Sequence, residues 1–190
     1  PEIRGHLQAE WQYQKQLLRF LENHDEPRFS PRFAMEEQKP IIALTYSLPG
    51  AHLVHYGQMQ GYSKKLPVQL RRYPSESLDL RLQNFYTNLF TFLGPNFGRK
   101  GTWTLLNFAE ILPQAARSKC IGILWDFENE YLWVMVNLTN QTSKISLNSC
   151  SALNQIFTHQ SLVREEKLES FSSDLPKLSS QILSQTLVMP

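Results

Sequence analysis

The chain reads as an α/β half followed by an all-β half. Three observations carry that reading. Over the first ~90 residues helical and strand patterns alternate as helix, strand, helix, strand, helix, the signature of βα units on a parallel sheet. Beyond residue 100, apolar runs of strand length follow one another, two of them joined by a short polar loop, as in an antiparallel sheet. Between the halves, Gly94-Pro95-Asn96-Phe97-Gly98 breaks both patterns. We therefore expect one domain over residues 1–95 and a second over 100–190.

The elements follow in order. Residues 7–16 are polar with a few aromatics and predict a helix. Leu17-Leu18-Arg19-Phe20-Leu21 is an apolar run of strand length, stopped by the charged, proline-bearing Glu22 to Arg28 segment. Residues 35–48 predict a helix in which Ile41, Ile42, Ala43, Leu44 and Leu48 share a broad face. Pro40 lies inside it, so its start is expected near Lys39, with proline in the first turn. Pro49-Gly50 ends it.

Ala51-His52-Leu53-Val54-His55-Tyr56 reads as a second strand, stopped by Gly57. The loop beyond carries Lys64, Lys65, Arg71 and Arg72, a basic set read as solvated surface. Residues 77–92 predict the next helix, with Leu78, Leu82, Phe85, Leu89 and Phe92 at helical spacing. In the second half, residues 103–106, 120–125 and 131–136 predict strands, with residues 126–130 as a hairpin loop. Residues 144–147 suggest another short strand. The Ser-rich tail from Glu165 suggests a closing strand around Leu183, Leu187 and Val188. Trp103, Trp125 and Trp133 are read as core of this half rather than a stacking platform.

Composition narrows the function classes. Of 190 residues, 42% are hydrophobic and 19% charged, enough apolar content for a core and too much for a disordered chain. Nineteen Lys and Arg against 17 Asp and Glu leave a net charge of +2, too small to argue for nucleic acid or an anionic membrane. No apolar run reaches the length of a membrane span. Cys120 and Cys150 form no paired spacing and are read as small core side chains. His52 and His55 would point to opposite strand faces, so no metal pair is expected. Asn137-Leu138-Thr139 and Asn140-Gln141-Thr142 fit the glycosylation pattern, which matters only in a secreted eukaryotic protein. The opening Pro1-Glu2-Ile3 is neither an initiator Met nor a signal peptide, so a processed or partial chain is expected. The compartment stays open, the cytoplasm being the default.

The densest chemistry is Phe20-Leu21-Glu22-Asn23-His24-Asp25-Glu26. An apolar strand ends, and an amide, an imidazole and a carboxylate follow at once. In parallel α/β sheets functional side chains sit at the carboxyl ends of strands. Asn, His and Asp together can bind vicinal sugar hydroxyls, and a carboxylate suits a developing oxocarbenium charge.

Phe20-Leu21-Glu22-Asn23-His24-Asp25 resembles the last catalytic signature of the α-amylase family of glycoside hydrolases, at the end of the seventh strand of a (β/α)8 barrel. IIALTYSLPG, residues 41–50, is similar to that family's seventh helix and its Leu-Pro-Gly ending. His52-Leu53-Val54-His55-Tyr56-Gly57-Gln58 resembles the eighth strand and its Tyr-Gly-Gln turn. The match is specific over residues 14–60 and one of layout alone over 100–147. Met59 stands where the family usually has an acid.

The resemblance implies the C-terminal portion of a TIM barrel, followed by a small antiparallel β-sandwich. It implies that Asp25 is the third carboxylate, gripping the 2- and 3-hydroxyls and stabilising the transition state. His24 would bind hydroxyls of the same sugar. Asn23 completes the substrate-binding signature and is expected to shape the loop. Arg28 joins that set, placed to pair with a nearby carboxylate in a role the family motif leaves undefined.

The nucleophile and general acid come from earlier strands of the family's barrel, and a whole barrel takes roughly 250 residues. We therefore expect a C-terminal fragment of a retaining hydrolase or transglycosidase on α-1,4-glucans or related α-glucosides, inactive alone. Its partner would be the barrel half that precedes it in the parent chain. Many family members bind Ca²⁺, through residues lying mostly in that missing part, so no cofactor or metal ligand is assigned here. The alternatives are a non-catalytic carbohydrate-binding module and a barrel remnant completed by a separate chain.

Overall fold

A computed structural model describes residues 2–67, 69, 72–94, 101–107, 120–127, 130–138, 143–145, 173–175 and 179–186. The chain divides into two compact units. One is Glu10–Lys100; the other joins Pro1–Ala9 to Gly101–Pro190. The first nine residues thus group with the β unit rather than with the α/β half in which the sequence pattern put them.

That grouping explains the first departure from expectation. In place of one helix over residues 7–16 there are two, α1 at Glu2–Leu7 and α2 at Trp11–Lys15. The boundary between units falls after Ala9, and Glu10 is extended there, with φ −53° and ψ 146°. Leu7 is buried in one unit and Gln14 in the other.

In the α/β unit, β1 at Leu18–Arg19 pairs in parallel with β2 at Ala51–His52, with Leu18 opposite Ala51 and Arg19 opposite His52. Both strands are shorter than the apolar runs suggested. The backbone pairing extends past them, because Ala51 N donates to Leu17 O and Leu53 N to Arg19 O, each at 2.9 Å. Gly50 makes this approach feasible. Its φ is +114°, and a Cβ there would run into the Leu17 carbonyl. Among the described residues these strands have no further neighbour. Leu18 and Phe20, two residues apart and so on one face, are 51% and 39% exposed, and Val54 is 37% exposed.

Helix α3 spans Met35–Ser47. It starts before Pro40, not at it. Glu37 Oε2 accepts from Ala34 N at 2.9 Å, which satisfies one orphan donor at its start. Pro40 then sits in the second turn, where its missing N–H leaves the Glu36 carbonyl without a helical donor. Ile42, Ala43, Leu44 and Leu48 are buried as the pattern required.

Helix α4 is Leu80–Leu93, capped by Asp79, whose carboxylate accepts from the backbone N–H of Arg81 and Leu82. Its buried stripe is Leu82, Tyr86 and Leu89. Leu78 precedes the cap and is exposed, as is Phe92. Tyr86 faces inward because its hydroxyl has a partner there. Gln58 Nε2 donates to Tyr86 Oη at 2.8 Å and to Tyr46 Oη of α3 at 2.6 Å. Tyr46 Oη in turn donates to Leu53 O at 3.0 Å. One buried amide so ties the β2 exit to both helices, and burial pushes the Tyr46 phenol up to about 12.

The second unit holds an antiparallel sheet in the order β3, β4, β5, β8: Thr102–Leu105, Cys120–Phe127, Glu130–Asn137 and Ser179–Thr186. The β4–β5 ladder runs to Phe127 opposite Glu130. The ladder therefore reaches into both ends of the 126–130 segment expected as a loop. A second sheet pairs β6 at Ser143–Ile145 with β7 at Ser173–Leu175.

Consecutive residues from Cys120 to Trp125 are all buried, so β4 is covered on both faces. Trp125 lies opposite Trp103 in register and is fully buried. Asn137 is also buried, with Cys120 Sγ 3.5 Å from its Oδ1, which removes it as a glycosylation acceptor in the folded chain. Within this unit Arg4 of α1 donates to Leu106 O at 2.6 Å. Leu183 falls on β8. Cys150, Arg71, Asn140, Leu187 and Val188 lie outside the described residues.

Candidate functional site

The site grows from the carboxyl end of β1. Past Phe20 the chain turns through Glu22 to Arg28 before the short 3-10 turn at Ser30–Arg32. Asn23 organises this loop. Its Oδ1 accepts from the backbone N–H of Asp25 at 2.8 Å and of Glu26 at 2.9 Å, an Asx turn. The turn lifts the next two side chains into solvent. His24 and Asp25 are 67% and 80% exposed, with Nε2 and Oδ2 3.2 Å apart.

Beneath them lies a buried ion pair. Arg28 Nη1 donates to Glu22 Oε1 at 2.6 Å, and the two side chains are 2% and 1% exposed. Phe29 N donates to the other Glu22 oxygen at 2.5 Å. Arg28 Nη1 also donates to Tyr56 O at 2.7 Å, and Nε to Lys64 O at 3.0 Å. Its buried Nη2 has no partner among the described residues. The guanidinium therefore joins three segments: the β1 loop, the β2 exit and the segment beyond Tyr62. Lys65 Nζ donates to Asp25 O, a second tie to the loop tip.

The residues after β2 close the rim. His55 N donates to Gln58 Oε1 at 3.3 Å. Burial lowers the His55 imidazole below its ordinary value, and Arg28 and His24 lower it further while Glu22 opposes them. Gly57, at φ +83°, lets the Tyr62 ring pack directly on the turn where a Cβ would stand. His52 faces elsewhere, its Nε2 2.9 Å from Leu48 O.

The four residues singled out from sequence come together on this one loop. His24 and Asp25 are presented to solvent at its tip. Asn23 holds the turn. Arg28 lies beneath, as the partner of Glu22. The sequence pattern assigned Glu22 no role, although an acid directly after the strand and ahead of Arg28 was the available signal. Three tyrosines around the β2 exit, Tyr56, Tyr62 and Tyr73, also went unassigned. Among the described residues no group of three or more His, Cys, Asp or Glu is placed to hold a metal ion.

No protein-family model and no curated protein matches the chain. Solved structures do. A cyclic α-maltosyl-(1→6)-maltose hydrolase from Arthrobacter globiformis matches 97% of this chain with 38% of its own, at a TM-score of 0.64 and 20% identity. An Anoxybacillus α-amylase matches 93% with 39% of its own, at 0.63 and 18%. A maltogenic α-amylase from Thermotoga neapolitana matches 67% with 30% of its own, at 0.55 and 23%. The chain thus spans between about three tenths and two fifths of the length of these structures. What they share with it is the fold, and at that level the resemblance read from residues 20–58 holds.

Proposed function

We propose that the chain is the C-terminal portion of an α-amylase-like glycoside hydrolase acting on α-1,4-glucans or related α-glucosides. It would supply the last two βα units of the barrel and the β domain after them. The observation that carries this is the His24–Asp25 pair, raised at the carboxyl end of a parallel strand over the buried Glu22–Arg28 pair. The likeness in fold to α-amylase structures supports it. So does the apolar face of Leu18 and Phe20, exposed on a two-stranded sheet with no further strand neighbour among the described residues. A barrel would cover that face. The consecutive buried residues of β4 fit a two-layer β domain.

In this reading Asp25 grips the 2- and 3-hydroxyls of the sugar at the cleavage point. Its negative charge favours the oxocarbenium-like transition state over the ground state. His24 binds hydroxyls of the same sugar, its orientation set by the adjacent carboxylate. Asn23 and Arg28 act through the backbone, fixing where the tip stands. The nucleophile and general acid of a retaining reaction, about 5–5.5 Å apart, would come from the preceding barrel strands. Hydrolysis and transfer share the glycosyl-enzyme intermediate, so both fit.

The test is Asp25→Ala in the protein that carries this chain, assayed on maltooligosaccharides. Asp25 is exposed, so folding is expected to survive while kcat falls about 10³-fold, the scale of losing one transition-state stabiliser. Unchanged kcat would sink the reading. The second reading, a remnant completed by a separate chain, is favoured by the same uncovered apolar face. It predicts that this chain is recovered from its source bound to a second polypeptide.

A further inference from the structure

Tyr56, Tyr62 and Tyr73 form a row of rings in the segment after β2, which Arg28 ties to the loop that carries His24 and Asp25. Tyr56 and Tyr73 stack with centroids 4.9 Å apart and planes 35° apart. Tyr62 meets Tyr56 edge-on at 6.2 Å. Tyr56 is 57% exposed and Tyr73 66%. Two large rings held together in water are not explained by the core, which neither joins.

The row is built rather than incidental. Gly57 at positive φ leaves the space that the Tyr62 ring occupies. Glu76 accepts from Ser63 N at 2.8 Å and Ser63 Oγ at 2.7 Å, and from Lys64 N at 3.2 Å. Asp79 N donates to Gln60 O at 3.0 Å. These bonds close the base of the loop on which Tyr73 stands. Arg28 fixes the row against the site, since it donates to Tyr56 O at 2.7 Å and also to Glu22.

We propose that Tyr56 and Tyr73 form a stacking platform for a pyranose ring of the glucan, beyond the sugar held by His24 and Asp25. This rests on the α-glucan reading above and adds to it a second contact for longer chains. The chemistry suits. A pyranose presents an apolar face of C–H groups and a rim of hydroxyls. An exposed tyrosine offers a flat apolar face and a phenol that donates and accepts. A purely apolar occupant would leave those phenols facing the wrong chemistry.

The experiment compares wild type, Tyr73→Ala, Tyr56→Ala and Asp25→Ala of the protein that carries this chain. Native electrophoresis through soluble starch reads binding, and KM and kcat are measured on a long maltooligosaccharide and on the shortest substrate cleaved. Circular dichroism checks folding, which the exposure of Tyr73 should spare. We expect each tyrosine variant to lose retardation and to raise KM on the long substrate about 3- to 10-fold, from one lost ring contact. Its kcat and its KM on the short substrate should hold, while Asp25→Ala loses turnover and keeps retardation. Equal retardation and equal KM in wild type and Tyr73→Ala overturn the platform and leave the α-glucan reading standing. Retardation that Tyr73→Ala weakens, with no turnover in any form, supports the platform and removes the hydrolase. A wild type that starch does not retard overturns the platform, and turnover then decides the hydrolase separately.

Discussion

Arg28 and Glu22 form a buried pair at 2.6 Å directly below the loop tip that bears His24 and Asp25. Taking either charge out of water is costly, and the pair is tolerable because each partner has further hydrogen bonds. Phe29 N serves Glu22, while Tyr56 O and Lys64 O serve Arg28. Removing one partner strands the other. Glu22→Gln or Arg28→Met should destabilise the α/β unit by about 3–5 kcal/mol. The double variant Glu22→Leu with Arg28→Met should recover part of that loss, since no charge is left stranded although Phe29 N, Tyr56 O and Lys64 O lose their partners. Urea unfolding of the three variants checks this. Double-variant stability no better than the worse single variant would mean the pair is not the linked unit described.

Gly50 gives a second prediction, one of backbone rather than charge. Its φ of +114° and the Leu17 carbonyl behind it leave no room for Cβ. Gly50→Ala should cost about 1–3 kcal/mol or more, through strain and through the loosened β1–β2 pairing. Gly5 is the control, because a Cβ there would meet nothing within 4 Å. Gly5→Ala sits in α1 and should be neutral or mildly stabilising. Thermal denaturation of both reads the contrast.

His55 supplies the pH dependence. Its imidazole is lowered from 6.5, first by burial and then by Arg28, with Glu22 opposing. The folded chain then binds that proton less readily than the unfolded chain. The stability that neutral His55 contributes is present above about pH 6.5 and is lost as pH falls toward the folded midpoint. NMR titration should place that midpoint below 6.5 in wild type. Glu22→Gln removes the opposing charge and should lower it further, provided the variant stays folded at the titration temperature. A midpoint at or above 6.5 in wild type would contradict the arrangement.

How much of this was legible in the residues varies with how local the cause is. The buried face of helix α3 was legible because it lies within eight consecutive positions, Ile41 to Leu48, whereas its start was misplaced near Lys39 on the strength of Pro40 and lies at Met35. The inward face of α4 was misjudged at Tyr86, since the partner that buries it, Gln58, is remote in sequence and reaches it only in the fold. The break between α1 and α2 was invisible because it follows from which unit each helix joins. The tip residues His24 and Asp25 form a local motif and could be found at once. The Glu22–Arg28 pair needed burial to be seen. The Tyr56–Tyr73 stack needed the closed loop between them.

The uncovered face of β1 and β2 leads to the last prediction. Leu18 and Phe20 are exposed on one face of two short strands that have no further neighbour among the described residues, and exposed apolar strands of that kind invite association. The same unit offers one solvent-exposed carboxylate in the signature, Asp25, while the Glu22 carboxylate is buried with both oxygens engaged by Arg28 and Phe29 N and is out of reach of a substrate. This 190-residue chain alone should therefore cleave no maltooligosaccharide even at high concentration, and should self-associate. Leu18→Ser with Phe20→Ser should make it more soluble and more monomeric by light scattering. In the longer parent proposed above, the same pair of substitutions should instead destabilise, since there the face would be core and each apolar truncation costs about 2–5 kcal/mol. Turnover by the isolated chain would remove the need for a preceding barrel half. Equal solubility with and without the serines would mean the face is already satisfied within this chain.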